Sequence, residues 1–101
     1  MRRNFRTLER SVELYRLCKN LCLPRHLKDQ LDRAASSVVL NISEGSGRET
    51  PKDQRRFYTM AMGSLRETQA ILLLADKDTS DLSGKADCVG AHLYKLIKSM
   101  G

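Results

Sequence analysis

The 101-residue sequence has no tryptophan, and aromatic residues make up only 5% of it. Any core must therefore be built from Leu, Val, Ile, Ala and Met, which is common material for helical bundles. No apolar run approaches the roughly 18–20 residues that span a bilayer, and the N-terminus lacks the apolar segment of a signal peptide. These absences predict a cytoplasmic protein that does not associate with a membrane.

Cysteine and histidine are also scarce, with three and two residues respectively. Three cysteines cannot all pair within one chain, and their spacing forms no disulfide framework, so reduced thiols are expected. A general base or nucleophile site normally uses His, but neither His26 nor His92 stands in a catalytic motif. A di-iron bundle needs Glu-x-x-His on two helices, and no such pair occurs. The sequence therefore predicts a protein that is not an enzyme and has no cofactor.

Four segments show the periodicity of amphipathic helices, because their apolar residues recur at steps of three and four. Short links between these segments would make sequential helices antiparallel neighbours. The sequence therefore predicts a single all-α domain over residues 1–101, an up-down-up-down antiparallel four-helix bundle. The predicted apolar stripes are Phe5, Leu8, Val12, Tyr15 and Cys22; Leu27, Leu31, Ala34, Val38 and Ile42; Phe57, Met60, Ala61, Ser64, Leu65, Thr68, Ile71, Leu72 and Ala75; and Leu82, Ala86, Val89, Leu93, Leu96 and Met100.

The most informative stretch is the glycine-containing break from Asn41 to Arg48, between the second and third predicted helices. Gly45 can adopt the left-handed conformation that ends a helix, and Thr50-Pro51 can open the next one. Thr50 is expected to accept a hydrogen bond from the amide of Asp53, a cap worth about 1 kcal/mol. The segment matches neither the Walker motif nor the dinucleotide fingerprint, so a helix-terminating turn is favoured over a nucleotide site.

Two residue pairs at helical spacing leave a metal site open as an alternative. Cys18 and Cys22 are four residues apart on the first helix, and Cys88 and His92 are four apart on the last. If those helices are neighbours, the four side chains could surround a zinc ion. The competing interpretation is that Cys22 and its neighbours are small buried packing residues, because free Cys is often buried.

Basic residues outnumber acidic ones by 18 to 12, which gives a net charge of +6. The excess is N-terminal, since residues 1–22 contain six basic and two acidic side chains. Such clusters can neutralise phosphates, although basic residues on a bundle exterior are also commonly a solvated face. With few aromatics for base stacking, we expect recognition by charge and shape. The predicted nucleic-acid contacts are Arg2, Arg3, Arg6, Arg10, Arg16, Arg55, Arg56, Lys95 and Lys98.

Three ordered motifs resemble a bacterial four-helix-bundle family encoded within intervening sequences of large-subunit ribosomal RNA genes. The motifs run from Gln30 to Val38, from Asn41 to Arg48 and from Arg56 to Thr68. The same fold is similar to the accessory variability determinant of diversity-generating retroelements, a basic protein that partners a reverse transcriptase and binds nucleic acid. The resemblance implies a homo-oligomer, specifically a homopentameric ring of bundles.

The resemblance also implies an architectural role for its signature positions, which are Asn41, Glu44, Gly45, Gly47, Arg48, Gly63, Ser64 and Glu67. In this role Asn41 and Glu44 would bond to turn amides. Arg48 would pair with a carboxylate such as Glu67, and Gly63 would let a neighbouring helix come close. The expected function is that of a non-enzymatic, oligomeric nucleic-acid-binding adaptor. The alternatives are a protein-interaction scaffold without nucleic acid and a zinc-binding bundle.

Overall fold

A computed structural model of the chain describes the backbone of residues 2–100 and the side chains of residues 5–100. Helices make up most of this part of the chain, and no strand occurs in it. The helices are α1 (Arg2–Lys19), α2 (Arg25–Ser46), α3 (Pro51–Leu74) and α4 (Ser80–Ser99). The predicted all-α class and the four-helix bundle are confirmed.

The four helices lie around a square, in which α1 and α3 each contact both α2 and α4. The α2–α3 pair illustrates the antiparallel sense. Ser37 and Ser64 share a hydrogen bond of 2.8 Å midway along the two helices, while Gly45 near the end of α2 lies against Tyr58 near the start of α3. The short links place the remaining neighbours antiparallel as well. The bundle measures 41 × 21 × 18 Å.

The core runs along the bundle axis and consists mainly of aliphatic side chains, together with the fully buried ring of Tyr58. Complete burial of one leucine or isoleucine contributes about 1.5–3 kcal/mol, so the stripes of α2, α3 and α4 hold the bundle together. The residues that are both predicted and found in the interior are Leu31, Ala34, Val38, Ile42, Ala61, Leu65, Thr68, Ile71, Leu72, Leu82, Ala86, Val89, Leu93 and Leu96.

Helix α1 turns a different face to the core from the one predicted. Its buried residues are Thr7, Ser11, Leu14 and Cys18. The predicted residues Phe5 and Cys22 are exposed, and Leu8, Val12 and Tyr15 are half-buried. Hydrophobicity misassigned this face because a hydroxyl side chain can satisfy itself inside a helix. Ser11 does so by donating to the carbonyl of Leu8 at 2.7 Å, which removes the main cost of its burial.

Two residues of the third predicted stripe also fail to reach the core. Met60 is exposed and Phe57 is half-buried, although both were expected to face inward. Tyr58, which was not predicted to be buried, replaces them in the core. The buried stripe of α3 steps by three and four from Tyr58 through Ala61 and Leu65, so Tyr58 faces the core, where it packs against the end of α2.

The left-handed glycine predicted at Gly45 is wrong. Helix α2 continues through Gly45 to Ser46, and no residue of the described backbone has a positive φ. Gly45 is needed for space, because a Cβ atom there would lie only 2.8 Å from Cε1 of Tyr58. Gly47 follows the helix with φ and ψ of −90° and −4°, which any residue can adopt.

The predicted start of α3 is confirmed. Thr50 has an extended backbone, and its Oγ1 accepts a hydrogen bond of 3.1 Å from the amide of Asp53. Pro51 is the first helical residue, where the missing N–H would have no partner in any case. The carboxylate of Asp53 lies in the first turn, where the helix dipole favours negative charge.

Candidate nucleic-acid interface

The up-down topology brings the start of α1, the α2–α3 hairpin and the end of α4 to one end of the bundle. We call this end the hairpin half and define it as residues 2–10, 37–62 and 90–100, which divides α1, α3 and α4 at their midpoints and α2 one residue beyond it. The distal half is residues 11–36 and 63–89. The hairpin half contains ten Lys and Arg against four Asp and Glu, whereas the distal half contains eight of each. The whole net charge of +6 therefore belongs to one end of the molecule.

Most of the predicted nucleic-acid contacts lie in the hairpin half. Those with described, exposed side chains are Arg6, Arg10, Arg55, Arg56, Lys95 and Lys98. Arg16 lies in the distal half, so the structure does not bring it together with the others. The side chains of Arg2 and Arg3 lie outside the described residues, and their backbone begins α1.

Sequence reasoning missed two cations of the same end, Arg48 and Lys52. Arg48 was assigned an architectural role instead, and Lys52 was left out although its near neighbours Arg55 and Arg56 were included. Counting charge by half of each predicted helix would have found both residues. The antiparallel topology needed for that count was itself predicted.

Ion pairs divide the cations of the hairpin half into two groups. Nε of Arg56 lies 3.4 Å from Oδ1 of Asp53, and Nη1 of Arg10 lies 3.7 Å from Oε1 of Glu13. The exposed cations of this half that take part in no ion pair among residues 5–100 are Arg6, Lys52, Arg55, Lys95 and Lys98. A phosphate can approach these five without first displacing a carboxylate.

Arg48 is held by the hairpin rather than free in solvent. Its Nη2 donates to Oε2 of Glu44 at 2.6 Å, and its guanidinium carbon lies 4.5 Å from the centroid of the Phe57 ring. The guanidinium of Arg56 lies at the same distance from that ring. Each cation–π contact of this kind contributes about 0.5–1 kcal/mol at an exposed site. The half-buried ring of Phe57 therefore orients two arginines at the hairpin.

One expected role of the signature positions is wrong, and another is met by a different partner: Arg48 does pair with a carboxylate, but not with the one named. Arg48 pairs with Glu44 and not with Glu67, which lies 16 residues beyond the start of α3 and thus about 24 Å along the helix. Asn41 donates to the carbonyl of Ser37 at 2.9 Å rather than to a turn amide. The amide of Asn41 thus reinforces the middle of α2 and not the hairpin.

Gly63 does not admit a neighbouring helix of this chain. A Cβ atom added there would meet nothing within 4 Å, and the residue is exposed. The close approach expected at Gly63 occurs instead at Gly45 and, more mildly, at Gly90, where a Cβ would lie 3.3 Å from Cδ2 of Leu65. Ser64 keeps an architectural role through its hydrogen bond to Ser37.

The four candidate zinc ligands are not assembled. Sγ of Cys88 lies 3.8 Å from Nδ1 of His92, but Cys18 is buried in the core and Cys22 is exposed beyond the end of α1. Among the residues that the structure describes, no group of three or more His, Cys, Asp or Glu side chains is placed to hold a metal ion. The packing interpretation therefore applies to Cys18 and is wrong for Cys22, which is exposed.

Cys18 is expected to be the least reactive of the three thiols. Burial raises its pKa from 9.0 to about 11, so the reactive thiolate is scarce at neutral pH. At pH 8, a maleimide should modify Cys22 first and Cys18 only when the protein unfolds, as read by mass spectrometry of the peptides. Modification of both residues at one rate in the folded protein would contradict this expectation.

The same shift has a defined effect on stability. The folded protein keeps the Cys18 thiol protonated at a pH where the unfolded chain releases the proton. The resulting contribution to the free energy of unfolding is therefore fully present below pH 9. It is lost as the pH rises from 9 towards about 11. Replacing Cys18 by alanine should remove this part of the alkaline loss of stability.

No helix within the described residues combines the length and apolarity needed to cross a membrane. The fold and the charge distribution together define a basic, antiparallel four-helix-bundle protein. The family described as 23S rRNA-intervening sequence protein matches residues 5–95. The chain belongs to this family, as the three motifs indicated. No curated protein and no solved structure matches it.

Proposed function

We propose that this protein is a non-enzymatic nucleic-acid-binding protein that contacts phosphates through its hairpin half. The observation that supports this most directly is the segregation of charge, with +6 at one end and no net charge at the other. When clustered cations without acidic partners contact phosphates, they displace several of the counterions that surround the nucleic acid. The release of these counterions drives binding. Membership in a family named for 23S rRNA intervening sequences makes RNA the first ligand to test.

Fluorescence anisotropy with labelled RNA and DNA across a salt series tests this proposal. If the five unpaired cations each neutralise one phosphate, the affinity should fall with a logarithmic salt slope of about 3.5 on single strands and about 4.5 on duplex DNA. An affinity that does not change with salt would contradict the proposal. Absence of binding at low salt would contradict it as well, and would favour a protein-interaction scaffold.

We also propose that the protein is a homo-oligomer, with the pentamer that the resemblance implies. Exposed apolar side chains on the outer faces of α2 and α3 support self-association: Leu40 is 66% exposed and Leu74 is 67% exposed. Met60 is also exposed, and Gly63 beside it leaves an open surface. Light scattering after size-exclusion chromatography should give five times the 11.5 kDa chain mass. A monomer would refute this proposal.

The adaptor role requires a protein partner in addition to nucleic acid. A reverse transcriptase is the partner implied by the resemblance to the retroelement accessory protein. Co-purification with and without nuclease treatment distinguishes a direct protein partner from one tethered through nucleic acid. A partner that survives nuclease treatment would support the adaptor role, and a partner that is lost would contradict it.

A further inference from the structure

One side of α3 lines the seam with α4 and ends in an unpaired cation. Arg55, Met62 and Gln69 follow one another at intervals of seven residues, so they lie on one stripe of the helix. Nε2 of Gln69 donates to Oδ1 of Asp87 on α4 at 3.2 Å, which shows that this stripe faces α4. Arg55 therefore lies on the α4 side of α3 at the hairpin end.

The matching stripe of α4 contains an exposed aromatic ring beside a lysine. Tyr94 is seven residues after Asp87, so it lies on the α3 side of α4, and 58% of it is exposed. Nζ of Lys98 lies 5.6 Å from the centroid of the Tyr94 ring and donates to its hydroxyl at 3.4 Å. Residues 90–100 contain no Asp or Glu, so a phosphate near this ring meets no acidic side chain of its own helix segment.

The register of the two helices places these groups within reach of one strand. Gly90 lies against Leu65, so in an antiparallel pair Met100 is level with Arg55. Tyr94 is six residues from that level, or about 9 Å along the axis. A single strand that keeps the duplex rise of about 3.4 Å per nucleotide covers this distance with about three nucleotides, and a more extended strand needs fewer.

We propose that this seam, formed by Arg55, Tyr94 and Lys98, binds single-stranded nucleic acid. One base stacks on Tyr94, and the phosphates that follow it towards the hairpin end contact Lys98 and then Arg55. A base pair inside a duplex has neighbours on both faces, whereas every base of a single strand can unstack and lie flat on a side-chain ring. Tyr94 is not part of the hydrophobic core, so its ring is available for this contact. The inference rests on the proposed function and adds that the bound nucleic acid is single-stranded.

The test compares Tyr94→Ala with Tyr94→Phe, using labelled 12-nucleotide single strands of RNA and DNA and the corresponding blunt duplexes. If a base stacks on Tyr94, Tyr94→Ala should weaken single-strand binding by about 5- to 140-fold, while Tyr94→Phe should retain it. Binding to duplexes should change little. The salt slope should also stay constant, because a stacked ring releases no counterions. Leu73→Ala removes an even more exposed apolar side chain in the distal half and is the matched control.

The outcomes separate this inference from the proposed function. Tighter binding of the wild type to single strands, lost in Tyr94→Ala with either RNA or DNA, supports the inference and shows which strand is preferred. Equal losses on single strands and duplexes, or no loss, would overturn the inference while nucleic-acid binding stands. Failure of the wild type to bind any of the four ligands would overturn both. Circular dichroism verifies that each variant remains folded.

Discussion

Neutralising four unpaired cations of the hairpin half is expected to weaken nucleic-acid binding by about two to three orders of magnitude near 0.15 M salt. Each phosphate contact adds about 0.7–0.9 to the logarithmic salt slope, so losing four contacts should lower that slope by about 3. Anisotropy titrations at several salt concentrations measure both quantities. The variant combines Arg6→Gln, Arg55→Gln, Lys95→Gln and Lys98→Gln.

The distal half provides a control with the same change in net charge. Its exposed cations without an ion pair among residues 5–100 include Arg16, Lys19, Arg33 and Arg66. Replacing these four by glutamine should change the affinity by less than tenfold, since they lie away from the basic end. If the two quadruple variants lost affinity equally, total charge would drive binding, and the assignment to the hairpin half would be wrong.

Gly45→Val is expected to destabilise the fold by about 1–3 kcal/mol, because the new side chain overlaps the Tyr58 ring. The ring is fully buried and cannot move aside, and the Cβ of Phe57 lies only 3.1 Å from the added atom. For a domain of this size each kcal/mol corresponds to about 4–8 °C in Tm. Thermal and urea unfolding, followed by circular dichroism, measure the loss.

Gly84→Ala is the control for this substitution and should have the opposite sign. A Cβ at Gly84 meets nothing within 4 Å, and the residue is inside α4, so alanine should stabilise the protein by about 1 kcal/mol. In the background of Tyr58→Ala, the cost of Gly45→Val should shrink, because the overlapping ring is absent. If Gly45→Val cost the same in both backgrounds, the strain would not come from its contact with the Tyr58 ring.

The contact at Gly45 also connects the fold to the basic end. Tyr58 faces the core against Gly45, and the adjacent Phe57 lies at the rim, where it contacts the guanidinium groups of Arg48 and Arg56. Separating α2 from α3 at this point would move both arginines relative to each other. Gly45→Val should therefore reduce nucleic-acid affinity in the fraction that remains folded.

The sequence by itself determined the features that depend on neighbours along one helix. The stripes of α2 and α4 follow from side-chain direction at steps of three and four, and the cap of α3 follows from Thr50, Pro51 and Asp53. The family was also evident from local motifs, and its model covers residues 5–95. These features need no knowledge of how distant segments pack.

Only the tertiary structure decided which face of α1 is buried, which neighbour makes a glycine necessary at position 45, and which cations of the basic end take part in ion pairs. Hydroxyl side chains such as Ser11 satisfy themselves within the helix, so their burial is not visible in hydrophobicity. The space at Gly45 is defined by a residue of another helix, Tyr58. The basic end combines the start of α1, the α2–α3 hairpin and the end of α4. These segments are far apart along the chain, and it is the antiparallel packing of the helices that brings their charges together.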